Sequence, residues 1–452
     1  MSALAKPAVS DARTIADSVI RAATRAGADQ ADAVIVDSTS LSCGTRLGKR
    51  ETLERSESMA VGLRVWKGAR VAVVSSSDYT KENLQSLAER AVTMAATSTE
   101  DPYTQLADKS LWPREIPELD LLDSREPSAD WLLEQAKIAE ETALETRGVT
   151  NSKGADAGYG RSEFTLATSH GLLASYAGSH FSISAEIVAG SGEDMHRDYD
   201  YVTTCHREDL PDAHEIGKNA AARAVARLDP KTLPSRQMPV IFDPRAGRSL
   251  LSSFASAISG NAIARGTSFL KDSMGQGLFP KTIQIIDDPL RRRGMGSHPF
   301  DAEGVEVQKR SLIEQGELKT WLLDIRSAAQ LKLTTTGSAS RGLSSPPYPS
   351  TSNLYLEAGK ISKEAMLKEI KEGFYITELS GMGVNLVTGD YSQGAAGFYI
   401  RDGEIAYAVA AATIAGNMKH MFLNLTPAND LEFRYATNVP TLRVDGMTVA
   451  GS

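Results

Sequence analysis

Hydrophobic positions follow two different periods in the first part of the chain. Helical spacing of apolar residues predicts a first helix carrying Ile15, Val19, Ile20 and Ala23. Gly27 is placed to end that helix, and a short strand over 33–36 follows. Strict alternation on both sides of Lys67-Gly68 predicts a hairpin over 59–78, and helical spacing returns over 80–96. This part of the chain therefore combines helices with an antiparallel hairpin.

The middle of the chain begins and ends with a helix. Helical spacing predicts one helix over 128–147 and another, rich in alanine, over 212–228. Between them, the stretch 162–190 alternates in three runs that are divided at His170-Gly171 and at Gly178-Ser179. This pattern predicts an antiparallel meander of three strands.

The last part of the chain is rich in short strands and glycine turns. A strand is predicted over 240–242, and Asp243-Pro244 supplies an N-cap and a first-turn proline for the helix that follows. Since strands and helices are grouped and do not alternate strictly, the fold class is α+β. Polar, proline-bearing stretches at 98–117 and 229–239 suggest the boundaries between domains.

Three domains are predicted on this basis. Residues 1–120 form an N-terminal α+β domain built from helices and a hairpin, and residues 121–235 form a middle helix plus the antiparallel meander. Residues 236–452 form a large, mostly antiparallel β-rich domain with flanking helices.

The composition is that of a globular protein without a role in nucleic-acid binding. The 452 residues include 41% hydrophobic side chains, and the formal net charge is −8. An acidic balance argues against binding that depends on phosphate neutralisation. No stretch of about eighteen apolar residues occurs, and the first residues lack a signal-peptide core, so we expect neither a membrane span nor secretion. Two cysteines, Cys43 and Cys205, fit a reducing compartment, and we expect a cytoplasmic protein.

The chemistry-bearing residues do not nominate a catalytic centre. His214-Glu215 lacks the second histidine that a zinc-binding helix places one turn further on. Neither a nucleophile elbow nor a phosphate-binding loop is present. Asp287-Asp288 is a carboxylate pair, but adjacent strand residues face opposite ways. One loop contains His298, Asp301 and Glu303 close together, and such residues can bind a metal through mixed nitrogen and oxygen ligands. A simple polar turn is the more frequent structure for such a sequence.

A glycine-rich segment over 381–397 admits two interpretations. It lacks the strand and helix context of a phosphate-binding loop. Its alternation with glycine suits a strand that another backbone approaches closely, for example a peptide that adds to a sheet edge. A plain, glycine-bent strand is the alternative.

Several long stretches of the chain, in the right order, resemble the TldD/PmbA family of metallopeptidases. The stretches that carry the resemblance cover 54–78, 151–164, 263–289, 300–324 and 378–405. The TldD branch of that family has a His-Glu-x-x-x-His motif on a helix that precedes an Arg-Gly-Thr-Ser-like turn, together with a cysteine near the C-terminus. The PmbA branch, also called TldE, lacks these zinc ligands.

The resemblance allows the zinc-ligand positions to be found in this chain. Counted back from the turn that begins at Arg265, the two histidine positions fall on Leu251 and Ser256, and the glutamate position falls on Ser252. Leucine has no donor atom, and neutral serine is a poor zinc ligand. The last twelve residues contain no cysteine. The ligand positions are therefore vacant, the chain resembles the PmbA branch, and we expect neither catalytic nor metal-binding residues in it.

The resemblance implies a function for such a chain. A TldE-like chain is the partner of a TldD-like subunit that carries zinc, and the two form a ring-like heterodimer that admits unfolded peptides. A homodimer is the alternative for the chain alone. Peptide contact is predicted at Gly381, Gly383 and Asn385, with Arg265 nearby in the family arrangement.

Two other functions remain open on the sequence. One is a peptide-binding module without turnover. The other is an independent hydrolase with displaced ligands, for which His298, Asp301 and Glu303 are the first candidates.

Overall fold

The fold is mixed α+β, as the sequence predicts. The computed structural model describes residues 9–192, 194–381 and 383–451. The helices are α1 Val9–Arg25, α2 Lys81–Thr97, α3 Ala129–Leu144, α4 Ala213–Ala226, α5 Pro244–Ala257, α6 Gly260–Ala264, α7 Ile325–Leu331, α8 Lys363–Lys368 and α9 Met418–Leu423. Two short 3-10 turns cover Lys109–Leu111 and Arg207–Asp209.

The first six strands form one antiparallel sheet in the order β3-β2-β1-β4-β5-β6. Their bounds are β1 Gln30–Arg46, β2 Lys49–Lys67, β3 Arg70–Ser76, β4 Val149–Thr168, β5 Leu173–Ala189 and β6 His196–Thr204. The predicted hairpin around Lys67-Gly68 is confirmed as β2 and β3. The first two predicted domains thus contribute to the same sheet, and the boundaries between the three domains stay predictions.

The prediction of three strands within 162–190 is wrong. The turn after β4 lies at His170-Gly171 as predicted, but β5 continues through Gly178 and Ser179, which pair in unbroken register with β4. These small residues allow residues 121–123 to cross the strand, because Ser179 N donates to Leu121 O at 2.9 Å. The third strand of the meander is β6, which lies further along the chain.

Alternate residues of this sheet face two different layers. Ala33 and Cys43 of β1 lie on one face, which α1 and α2 cover at one end and α3 and α4 at the other. On the opposite face, Val34 and Leu166 pack against Phe300 of the C-terminal part. The order of layers is therefore helices, six-stranded sheet and C-terminal part, which follows from the two-residue period of a strand.

The C-terminal part contains two further sheets and a short hairpin. One sheet has the order β16-β15-β14-β7-β19-β17 and also pairs β16 with β19, so it closes on itself. Its pairs are antiparallel except for β14 and β7. The strands of this sheet are β7 Arg236–Phe242, β14 Glu372–Ser380, β15 Asp390–Arg401, β16 Glu404–Asn417, β17 Leu425–Pro427 and β19 Leu442–Gly451.

The second C-terminal sheet has the order β10-β9-β8-β13-β18, and β11 pairs with β12 beside it. The strands are β8 Ile285–Asp287, β9 Arg310–Glu314, β10 Glu317–Leu318, β11 Ala339–Ser340, β12 Tyr348–Pro349, β13 Leu354–Leu356 and β18 Thr437–Asn438. The helix predicted after Asp243 is confirmed as α5. Asp243 caps it by accepting from Arg245 N at 3.0 Å, and Pro244 occupies the first turn.

Candidate functional site

A cleft of about 470 Å³ lies beside the C-terminal half of α5. Ser252 and Ser256 line it from α5, and Arg265 lines it from the end of α6. We call it the serine cleft. The rest of its lining consists of Ala255, Ser259, Asn261, Ala262, Thr267, Leu322, Pro349, Ser350, Thr351, Leu354 and Thr437. Three positions that the sequence analysis singles out therefore share one concave surface.

Leu251, the third position that the resemblance matches to a zinc ligand, does not face the serine cleft. Leu251 is 3% exposed and belongs to the large C-terminal core, because it follows the apolar stripe of α5. Ser256 Oγ donates to Ser252 O at 2.9 Å, so this hydroxyl is bound to its own helix. A buried alkyl group and two neutral hydroxyls do not fit a zinc ion. Among the residues that the structure describes, no group of three or more His, Cys, Asp or Glu side chains could hold a metal.

The glycine segment lies outside the serine cleft but close to the turn after Arg265, because Phe269 N donates to Leu386 O at 2.8 Å. Gly381, Gly383 and Asn385 belong to the connection between β14 and β15 and do not line the serine cleft. The expectation of a strand over 381–397 is confirmed from Asp390, where β15 begins, and is wrong before it, because the connection turns back on itself: Asn385 N donates to Asp390 O at 2.8 Å. Both edges of β15 are already paired, with β14 and with β16, so no edge is open there for a peptide. Peptide contact at these three residues stays a prediction.

The loop with His298, Asp301 and Glu303 does not bring these three side chains to one site. Asp301 is buried and accepts the backbone N–H groups of Glu303, Val305 and Ala339 at 2.9, 2.9 and 3.1 Å. Asp301 therefore organises the turn. Because its carboxylate oxygens accept these three hydrogen bonds, they have little capacity left to bind a metal ion.

Glu303 is committed to a different set of contacts. Its two oxygens bind Ile325 N at 2.9 Å and Arg64 Nη1 at 3.3 Å. Burial raises the pKa of Glu303 to about 8, against the lowering effect of Arg64. Glu303 thus joins the C-terminal part to the first sheet instead of joining His298.

His298 lines a second, smaller cavity of about 270 Å³. We call it the polar cavity. It lies next to the serine cleft, since Ser350 and Thr351 line both. Its titratable lining residues are Tyr176, Asp287, His298, Arg310 and Arg341.

Sequence reasoning did not identify the polar cavity. In the sequence Asp287 stands out only as one of an adjacent pair, and Asp288 does turn away, towards Lys309 at 3.8 Å. Asp287 itself faces the cavity together with its cross-strand neighbour Arg310. Tyr176 arrives from the first sheet, far away in sequence. No local sequence pattern predicts such a site, because its residues come from three strands that belong to two sheets.

Enclosure controls the ionisation of these groups. Burial raises the pKa of Asp287 to about 6, while hydrogen bonds from Ser352 lower it in part. Burial also lowers the pKa of His298 and raises the pKa of Tyr176 to about 12. At neutral pH the polar cavity therefore contains an ionised Asp287, a neutral His298 and a protonated Tyr176.

No helix within the described part of the chain is long and apolar enough to cross a membrane. The fold and the two cavities define a large α+β protein with a hydroxyl-lined cleft at a helix end. Three models of the PmbA/TldA metallopeptidase family match it, domain 1 over 31–95, the central domain over 122–228 and the C-terminal domain over 235–451. The chain therefore belongs to the PmbA/TldD metallopeptidase family, which confirms the resemblance seen in the sequence.

Individual relatives agree with this assignment. Metalloprotease PmbA of Escherichia coli O157:H7 is 35% identical over 94% of this chain and 92% of its own length. The metalloprotease PmbA homolog of Haemophilus influenzae is 34% identical over 100% of this chain and 98% of its own length.

Solved structures share the fold. TldE from Thermococcus kodakarensis has a TM-score of 0.87 at 22% identity, over 97% of this chain and 100% of that chain. A candidate modulator of DNA gyrase from Bacteroides thetaiotaomicron has a TM-score of 0.90 at 24% identity, over 97% of this chain and 99% of that chain.

Proposed function

We propose that this chain is the PmbA/TldE-like subunit of a two-subunit metallopeptidase that degrades or processes unfolded peptides. The chain supplies peptide-binding surface, and a TldD-like partner supplies the zinc. The observation that carries the proposal is the serine cleft, in which Ser252 and Ser256 occupy ligand positions that the family resemblance assigns. The lining of this cleft contains no His, Cys, Asp or Glu side chain, which supports a chain that does not itself hold the metal.

The residues of the serine cleft suit a peptide backbone. Ser252 and Ser259 offer hydroxyl groups that both donate and accept, and Asn261 offers an amide. Arg265 is exposed at the cleft and can donate to a carbonyl or a carboxylate. A cleft of about 470 Å³ has room for a few extended residues and not for a folded domain, which agrees with an unfolded substrate.

The proposal includes a location and excludes two kinds of partner. We place the complex in the cytoplasm, where Cys43 and Cys205 stay reduced; both are free and buried. The net charge of −8 supports the absence of nucleic acid from its partners. We also propose that no membrane takes part.

The test is to measure zinc content and peptidase activity of the chain alone and after mixing with its TldD-like relative. We expect neither in the chain alone, and a complex with chelator-sensitive hydrolysis in the mixture. Stoichiometric zinc and hydrolysis by the chain alone would overturn the proposal. Tight peptide binding without hydrolysis in any mixture would replace it by a peptide-capturing module.

A substitution tests the role of the serine cleft within that complex. Ser256→Trp fills the cleft from an exposed helix position, so we expect the KM for peptides to rise about tenfold or more, the equivalent of about 1.4 kcal/mol. Lys218→Trp, at an exposed position of α4 away from the cleft, controls for the added indole. Equal kinetics of the two variants would show that peptides bind elsewhere.

A further inference from the structure

The polar cavity contains several polar atoms that no other residue uses. Asp287 Oδ1 accepts from Ser352 N and Ser352 Oγ at 2.8 and 2.9 Å, but Asp287 Oδ2 has no hydrogen-bond partner among the described residues. The hydroxyl of Tyr176 also lacks a partner within the described part of the chain, although its ring is packed against two phenylalanines. Asp287 is only 7% exposed, and a buried charge is costly unless it is paired, so a ligand that donates to its free oxygen would reduce that cost.

Arg310 provides a positive charge directly opposite Asp287. The two residues are cross-strand neighbours in the β8–β9 pair, and both line the polar cavity. Their side chains nevertheless form no ion pair within 4.0 Å. Arg310 Nε donates to Thr336 O at 3.0 Å, while its two terminal nitrogens have no partner in the described ranges. Asp287 and Arg310 carry opposite charges and do not pair with each other, so both can bind a ligand.

His298 adds a second acceptor. Its Nδ1 lies 3.0 Å from Gly296 O, and a carbonyl can only accept, so Nδ1 carries the proton. Nε2 of the neutral ring is then a lone-pair acceptor that no described residue engages. The remaining charge in the lining, Arg341, is paired with Asp32 through Nη1 at 2.7 Å, and its Nε and Nη2 are buried without a partner among the described residues. The groups of the polar cavity that are left for a ligand are therefore the Arg310 cation, the two acceptors Asp287 and His298, and the Tyr176 hydroxyl.

The rest of the lining sets the size and character of a ligand. A volume of about 270 Å³ lies just below the usual range of cavities for drug-sized ligands, so the ligand should be small. One wall is apolar, because Phe164, Tyr176 and Phe300 form a cluster with ring centroids 5.4 to 6.3 Å apart.

We propose that the polar cavity binds a free α-amino acid with an apolar side chain. Arg310 binds the α-carboxylate, Asp287 and His298 accept from the α-ammonium group, and the aromatic wall contacts the side chain. The proposal concerns a cavity other than the serine cleft and does not depend on the proposed peptidase function. A small molecule that carries both charges is required, since a peptide terminus would satisfy only one of the two groups.

The test is a calorimetric titration of the full-length chain with L-leucine, N-acetyl-L-leucine and L-leucinamide. We expect L-leucine to bind with a Kd of about 1 mM or lower. Each blocked derivative loses one charge-assisted contact, so we expect its affinity to be about ten to a hundred times lower. Equal binding of N-acetyl-L-leucine would overturn the proposal in favour of a simple anion site. Absence of L-leucine binding would overturn it altogether.

Two matched substitutions locate the binding. Asp287→Asn keeps an oxygen to accept from Ser352 but removes the charge, so L-leucine affinity should fall about tenfold or more. Asp288→Asn is the control, because Asp288 does not line the polar cavity and its amide can still accept from Leu290 N. Arg310→Gln should weaken L-leucine but leave L-leucinamide unchanged. Unaltered L-leucine binding in Asp287→Asn and Arg310→Gln would refute the assignment.

Discussion

Replacing Asp287 by asparagine should stabilise the folded chain at neutral pH, even though we expect it to weaken ligand binding. The carboxylate is buried, one of its oxygens lacks a partner among the described residues, and its cross-strand cation is not in direct contact. Asparagine has the same shape and can keep the bonds from Ser352 without a charge. Buried groups that are kept for binding commonly reduce stability in this way.

The magnitude follows from the pKa of Asp287, which burial raises from its ordinary value of 3.8 to about 6. A shift of about two units corresponds to roughly 3 kcal/mol of free energy of unfolding. Because the pKa is raised in the folded state, the unfolded chain ionises first as pH rises. Stability therefore falls between about pH 4 and pH 6 and stays at the lower level above that.

The assay is urea unfolding of the wild type and of Asp287→Asn, each at pH 4 and at pH 8. We expect the two proteins to be nearly equal at pH 4, and the variant to be more stable at pH 8 by up to about 3 kcal/mol. Other buried carboxylates contribute equally to both proteins and cancel in the difference. Asp288→Asn, whose carboxylate is paired with Lys309, should show no such gain. A variant that is less stable than the wild type at pH 8 would refute the reasoning.

Two further substitutions test contacts that hold the C-terminal part together and join it to the first sheet. Asp301→Ala removes the acceptor of three backbone N–H groups, and urea unfolding should show a loss of about 3 kcal/mol or more; a loss below about 1 kcal/mol would contradict the role of Asp301. Asp32→Asn leaves the guanidinium groups of Arg64 and Arg341 without their shared carboxylate and should cost about 3–5 kcal/mol. Arg341→Met should cost less, because Nε and Nη2 of Arg341 already lack partners among the described residues; equal losses would show that this ion pair is not organised as described.

Local sequence patterns predicted the elements whose signals are short-range. Asp243-Pro244 marks the beginning of α5, and Lys67-Gly68 marks the turn between β2 and β3, because capping and turn geometry depend on a few adjacent residues. The same approach placed a strand over 33–36, whereas β1 covers Gln30–Arg46. Its C-terminal half is polar on one face and pairs on both edges, so pairing partners, and not hydrophobicity, determine how far the strand extends.

The candidate site, like the fold, was predictable from the sequence only in part. The family resemblance located Ser252 and Ser256 from their distance to the turn at Arg265, and these three residues do share the serine cleft. Leu251, one residue away, faces the core, as the helical spacing of apolar residues in α5 predicts.

The sequence by itself determined the α+β class and the family, and through the family resemblance it predicts which positions correspond to zinc ligands. These properties lie in residue identity and in spacings of a few residues. Only the tertiary structure decided that Asp287 faces Arg310 across β8 and β9, that His298 and Tyr176 join them, and that Asp301 serves its own turn. The physical reason is that these groups are far apart in the chain and meet only through strand register and the packing of one sheet upon another. The periodicity of a single segment cannot predict contacts between residues of different sheets.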